Sequence, residues 1–394
     1  MSVETASIVA AAERVLSRTF GPNVALGNVD RLSDDDRRNL LLRCRNLSGE
    51  PPASVIIKKV VADAYDPANT SSWDTQRFTS DRAGAEFLSA VLPASLTPRY
   101  YGGDHAAGFF ILEDLGEHRS LVEPLLDGDA ASAQRALVAF SVCVGGIHAD
   151  TIGLSATFER FLGENGRQMG IFSPPFNGFG ERVGELEARL KEMDLRSEAG
   201  LSSEIQSVVT AIETPGPFFS YIHGDPCPDN VFWNGRELRL IDFEFGGFGH
   251  ALVDAACGRM LFPSCWCANR LPGDLLSRME TAYRVELVKG CQAAQDDRVY
   301  ESALVKACGY WLLWGLSRHL ANMMDADRTW GIATIRQRVL ARLEAFIATS
   351  EEFDELPALR AMATRLLERL RHAWPDVSPL PQYPAFNRES PETR

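Results

Sequence analysis

The 394-residue chain is short of positive charge, long apolar runs and paired cysteines, and each shortage excludes something. It sets 40 lysines and arginines against 53 aspartates and glutamates, a formal net charge of −13. A nucleic-acid surface needs a basic stripe, so no nucleic-acid partner is expected. An acidic field favours a cationic small molecule instead. The most continuous apolar stretch, 136–147, is about twelve residues, whereas a bilayer span needs roughly twenty. No membrane is expected. The N-terminal segment has Glu4 early and no basic region ahead of an apolar one, unlike a secretion signal, which makes the cytoplasm the expected location. Eight cysteines are present, at 44, 143, 227, 257, 265, 267, 291 and 308. None forms a C-x-x-C unit. Cys265-Trp266-Cys267 is the closest pair, and no histidine cluster accompanies it. Reduced thiols are the plain reading, with zinc or a redox pair as the alternative.

What is present is the composition of a soluble globular protein, 45% hydrophobic and 24% charged. The length suits two lobes sharing a cleft, with a core that needs no disulfide. A helical period over 5–19 puts Ile8, Ala11, Ala12 and Val15 on one face. Three β-rich runs follow, 23–32, 39–45 and 54–61, separated by polar connectors. A helix over 75–92 stops at Pro93, and strands near 99–102 and 108–113 complete a five-stranded antiparallel sheet carrying one helix. Beyond 119 the pattern is helical, over 132–150, 155–165, 180–194, 197–212, 251–262, 272–290, 297–324, 330–348 and 355–373. One β-containing island, 220–245, interrupts it. The expected fold is α+β and bilobal. Residues 1–115 form a small β-rich lobe, 116–375 a larger helical lobe and 376–394 a proline-rich tail.

The island carries the chemistry. An apolar stub ends in His223-Gly224-Asp225-Pro226-Cys227-Pro228-Asp229-Asn230. A β-hairpin turning at Asn234-Gly235 then delivers Asp242-Phe243-Glu244. Phosphoryl transfer needs a carboxylate to take the acceptor's proton and hard oxygen ligands for Mg²⁺ on the triphosphate. Asp225 and Asn230, five apart on one loop, can face a common point, and Asp242 comes from the next strand.

The stretch H-G-D-x-x-x-x-N, with D-F-E twelve residues later, resembles the aminoglycoside phosphotransferase and choline kinase superfamily. That resemblance implies a protein-kinase-like fold and a kinase acting on a hydroxyl of a small molecule, with Mg²⁺ and ATP or GTP. It implies Asp225 as catalytic base, with Asn230 and Asp242 as metal ligands. The motifs span roughly residues 20–260. In the kinase pattern a lysine inside the third strand holds the phosphates. Of Lys58 and Lys59 only one can face the cleft, and Lys58 directly follows the apolar run. Glu86 is the expected helix partner of that lysine. The phosphate-covering loop lacks G-x-G-x-x-G and reads S-D-D-D-R-R-N, which puts Ser33, Arg37, Arg38 or backbone N–H groups near the phosphates and the aspartates in solvent. Glu113, Asp114 and Leu115 resemble the hinge that holds the adenine. His148, His223 and Asp254 read as structural, Asp254 tying its helix to the 223–230 loop. The competing readings are a polypeptide kinase, disfavoured without H-R-D, D-F-G and A-P-E, and a nucleotide-binding pseudokinase or interaction module without turnover.

Overall fold

The computed structural model describes residues 3–34, 37–62, 64–93, 95–117, 119–173, 176–195 and 199–387. Asp35 and Asp36 of the phosphate-covering loop and 388–394 of the tail lie outside the described residues. In chain order the elements are α1 (Val3–Phe20), β1 (Leu26–Arg31), β2 (Asn39–Asn46), β3 (Ser54–Val60), α2 (Trp73–Val91), β4 (Tyr100–Asp104) and β5 (Phe109–Glu113). Then come α3 (Val122–Leu126), α4 (Ala130–Thr151), α5 (Ser155–Met169), α6 (Phe179–Glu192), α7 (Leu201–Glu213), β6 (Phe219–Ile222), β7 (Val231–Trp233), β8 (Leu238–Leu240) and β9 (Gly247–His250). The chain closes with α8 (Leu252–Ala255), α9 (Gly273–Leu287), α10 (Asp297–Asp325), β10 (Thr329–Trp330), β11 (Ala333–Thr334), α11 (Ile335–Phe353), α12 (Pro357–Ala373) and α13 (Pro384–Asn387). The class is α+β. The chain divides into two compact units, one of 1–118, 154–174 and 239–247, the other of 119–153, 175–238 and 248–394.

The first unit is built on a five-stranded sheet of order β1-β2-β3-β5-β4, with every neighbouring pair antiparallel. Strand alternation decides which side chains enter the core. Leu40, Leu42 and Cys44 of β2 and Val55 and Ile57 of β3 share a face with Phe109 and Ile111 of β5. The apolar stripe of α1, Ile8, Val9, Ala12 and Leu16, covers that face. Each such buried Leu or Ile contributes about 1.5–3 kcal/mol. The opposite parity sends Lys58 to the other side of β3, opposite Leu41 and Phe110 in the register. Helix α2 packs against α5, and Arg82 of α2 donates to the Phe161 carbonyl at 2.8 Å.

The second unit is helical, with β6 and β9 paired at its centre. Its three longest described helices, α4, α10 and α11, start on side-chain caps. Asp129 accepts the Ser132 N–H at 2.8 Å before α4, and Thr334 with Gln337 makes a capping box before α11. Helix α4 runs 22 residues, longer than the apolar run suggests, because glycine, alanine and His148 continue it. By length and composition it alone among the described helices could cross a membrane, yet half of its apolar window is buried and it packs on α9.

Two helix expectations need correction. The helix expected over 251–262 stops at Ala255, because Leu261 and Phe262 take left-handed φ of 65° and 45° and the Phe262 N–H returns to the Cys257 carbonyl. The helix expected from 330 begins at Ile335. Residues 329–334 instead make the β10–β11 hairpin over Gly331, whose φ is 61°.

Candidate active site

In the first unit Lys58 meets two carboxylates. Its Nζ lies 2.6 Å from Asp81 Oδ2 and 2.9 Å from Asp242 Oδ1. Asp81, buried on α2, also accepts the Phe243 N–H at 2.9 Å on its other oxygen, so it fixes both the lysine and the backbone beside Asp242. Burial alone would push the Lys58 ammonium down, but Asp242 and Asp81 hold it above its ordinary value. Burial pushes the Asp81 carboxyl up to about 6, against the pull of Lys58. Asp242 sits at φ 67°, a left-handed conformation that aspartate tolerates and that gathers at functional sites, and its side chain stays a third exposed. Next to it Glu244 pairs with Arg38 at 3.0 Å and with Arg77.

Glu86, expected to hold Lys58, pairs instead with Arg82 at 2.7 Å. Asp81 and Glu86 are five residues apart on α2, about 140° around a helix, so one turned to β3 leaves the other turned away. Lys59 bends back to the Val60 carbonyl at 2.6 Å. Ser33 Oγ accepts the Leu41 N–H at 3.1 Å, bracing the loop before β2, and Asp34 is exposed. Glu113 accepts the Arg99 N–H at 3.1 Å and Arg239 Nη1 at 2.8 Å. Asp114 accepts Ser54 Oγ at 2.7 Å and pairs with Arg43 at 2.9 Å. Leu115 is half-buried.

In the second unit the chain leaves β6 through a loop pinned from α8. Asp254 accepts the His223 N–H at 2.6 Å and the Gly224 N–H at 3.1 Å, one on each oxygen. His148 Nε2 stands 3.4 Å from the same carboxylate, and its Nδ1 is 2.9 Å from the Tyr283 hydroxyl. Gly224 takes φ 76°, which a side chain would strain. The pinned backbone turns tightly at Asp225, whose carbonyl accepts the Cys227 N–H at 2.7 Å and Asn230 Nδ2 at 3.0 Å. Asp225 Oδ1 accepts the Cys227 thiol at 3.0 Å. Burial raises the Asp225 carboxyl, opposed by hydrogen bonds from Cys227 and Ser264. Asn230 commits its amide nitrogen to the loop. Asn230 Oδ1 in the second unit and the Asp242 carboxylate in the first are each hard oxygen donors, and the chemistry of each suits Mg²⁺.

The sequence model of the phosphotransferase enzyme family matches residues 85–280. Over that span the chain belongs to the phosphotransferase enzyme family. The span contains Asp225, Asn230, Asp242, Glu86 and 113–115, and leaves Ser33 and Lys58 outside. No curated protein sequence matches the chain. Among solved structures, a choline/ethanolamine kinase family protein from Mesorhizobium loti is 16% identical with a TM-score of 0.41, covering 91% of this chain and 99% of its own. A choline kinase from Cryptosporidium parvum is 12% identical with a TM-score of 0.46, covering 93% and 99%. A macrolide 2'-phosphotransferase from Brachybacterium faecium is 12% identical with a TM-score of 0.41, covering 75% and 97%.

Sequence reasoning missed Asp81, though a signal existed. Phe78, Asp81, Ala85 and Leu88 recur at helical spacing and are all buried, so Asp81 is a charge on an apolar stripe. It also missed the thiol beside Asp225, which no spacing rule marks.

Proposed function

We propose that this phosphotransferase moves the γ-phosphoryl group of ATP or GTP onto a hydroxyl of a small acceptor, an amino alcohol, aminoglycoside-like compound or sugar metabolite, in the cytoplasm. The observation that carries the reading is the pinned 223–230 loop, which holds Asp225 half-buried with its carboxyl raised. Asp225 takes the acceptor's hydroxyl proton as that oxygen bonds to the γ-phosphorus and the bond to the β–γ bridging oxygen breaks. Asn230 and Asp242 hold Mg²⁺, which when bound neutralises charge on the phosphates. Lys58, kept ionised by Asp81 and Asp242, binds phosphate oxygens. The backbone at 113–115 receives the base, and Ser33 lies in the loop that covers the phosphates. The net charge of −13 supports a cationic acceptor.

The test incubates the full chain with Mg²⁺ and ATP or GTP against choline, ethanolamine, homoserine, aminoglycosides, macrolides and simple sugars. Mass spectrometry reads phosphorylated acceptor. One class of acceptor gains a phosphoryl group with matching nucleoside diphosphate. Nucleotide binding without any phosphorylated acceptor would replace the reading with a protein that binds and does not turn over.

A further inference from the structure

Two cysteine sulfurs and a carboxylate converge in the second unit, and a third sulfur lies against one of them. Cys227 and Asp229 come from the 223–230 loop, Cys265 and Cys267 from the segment after α8. The sulfurs of Cys227 and Cys265 and one Asp229 oxygen all lie within 4.8 Å of one another. Cys267 Sγ is 3.1 Å from Cys265 Sγ. All three cysteines are buried.

Their frame is fixed independently of the sulfurs. Buried Arg338 donates to the Cys265 carbonyl at 2.6 Å and to the Trp266 and Trp330 carbonyls at 2.7 Å each, clamping the C-x-C segment. The Trp266 indole N–H donates to Asp229 Oδ2 at 2.9 Å, while Asp229 Oδ1 stands 3.9 Å from Cys265 Sγ. Buried thiols that only fill space pack as small apolar groups and have no reason to gather around a carboxylate. Sulfurs from two chain segments with one oxygen make the donor set of a tetrahedral soft-metal site. An N–H on the carboxylate's outer oxygen is the contact that orients such a ligand.

We propose that Cys227, Cys265, Cys267 and Asp229 bind a zinc ion. Binding displaces the thiol protons to solvent as the sulfurs bond to the metal. The Cys227 proton now given to Asp225 Oδ1 at 3.0 Å is then lost, so zinc occupancy changes the hydrogen bonding of Asp225 and lowers turnover. This consequence rests on the role proposed for Asp225; the site does not.

The test strips the reduced full chain of metal and titrates it with Co²⁺ alone, then with Zn²⁺. Intense thiolate-to-cobalt charge transfer in the near ultraviolet, with tetrahedral visible bands that Zn²⁺ abolishes, is the expected result. Cys227→Ser and Cys265→Ser each diminish the charge-transfer bands and weaken Zn²⁺ binding about tenfold or more, as does Trp266→Phe, which keeps every sulfur. Cys44→Ala, in the first unit, changes neither. No thiolate-to-cobalt band in the wild-type chain, or bands of undiminished intensity in Cys227→Ser and Cys265→Ser, would overturn the site. The wild-type titration stands if a variant fails to fold, and no readout needs turnover, so an inactive phosphotransferase would leave the result intact.

Discussion

Lys58 keeps its charge in a buried place because Asp81 and Asp242 both reach it, and Asp81 is the buried partner. Removing one member of a buried ion pair leaves an uncompensated charge, at about 3–5 kcal/mol. Asp81→Ala is therefore expected to destabilise the chain by about that much in urea unfolding. Asp81→Asn, which keeps the shape, should weaken nucleotide binding about tenfold or more by calorimetry, the scale of a hydrogen bond to a charged group. Glu86→Gln should stay within about 0.5 kcal/mol on both measurements, since Glu86 is a third exposed and pairs only locally with Arg82. The opposite ranking would return the lysine to Glu86. Lys58 was legible because a charge directly after an apolar strand needs a partner. Its partner was not, because periodicity gives the faces of α2 and not the rotation that turns one of them to β3.

Elements with many repeats of one period were the legible ones. Strand β2 alternates buried and partly buried residues over most of its eight positions and β3 over much of its seven, and α10 runs its full 29 residues between signals that a sequence displays. The short pieces were not. Strands β10 and β11 have two residues each, too few for a pattern, and their turn depends on a tertiary approach: a Cβ on Gly331 would meet the Trp266 carbonyl oxygen at 2.1 Å. Strand β9 carries a histidine whose state follows from packing. His250 stacks on Phe218 with ring centroids 5.4 Å apart and accepts the Leu252 N–H on Nδ1 at 3.3 Å. Burial lowers its imidazole from 6.5 to about 3. Between those values the unfolded chain binds a proton that the folded chain does not, so the neutral ring's contribution is full above about 6.5 and falls with pH. The loss reaches about 2 kcal/mol at pH 5. Urea unfolding at pH 7 and pH 5 should show His250→Asn losing less stability than wild type by that margin. Equal losses would mean that the ring is not buried neutral.

At the scale of the whole molecule, composition and motif read the class and left the acceptor unread. The H-G-D-x-x-x-x-N loop is a local pattern, and its supports, Asp254 and His148, lie in helices whose sequences carry recognisable neighbours. An acceptor pocket is made from side chains spread over many helices, and in the second unit the conspicuous ones are already engaged. Trp311 donates to the Val253 carbonyl at 2.8 Å in the core, and Glu280 pairs with Arg259 at 2.6 Å. No sequence rule separates such core groups from ones left for a ligand. The central claim is that Asp225 takes the acceptor proton, and it is tested most directly by comparing wild type with Asp225→Asn on an accepted substrate. The account predicts that kcat falls about 10²- to 10⁴-fold while nucleotide affinity changes less than about twofold. A variant that keeps kcat within about tenfold of wild type would contradict it.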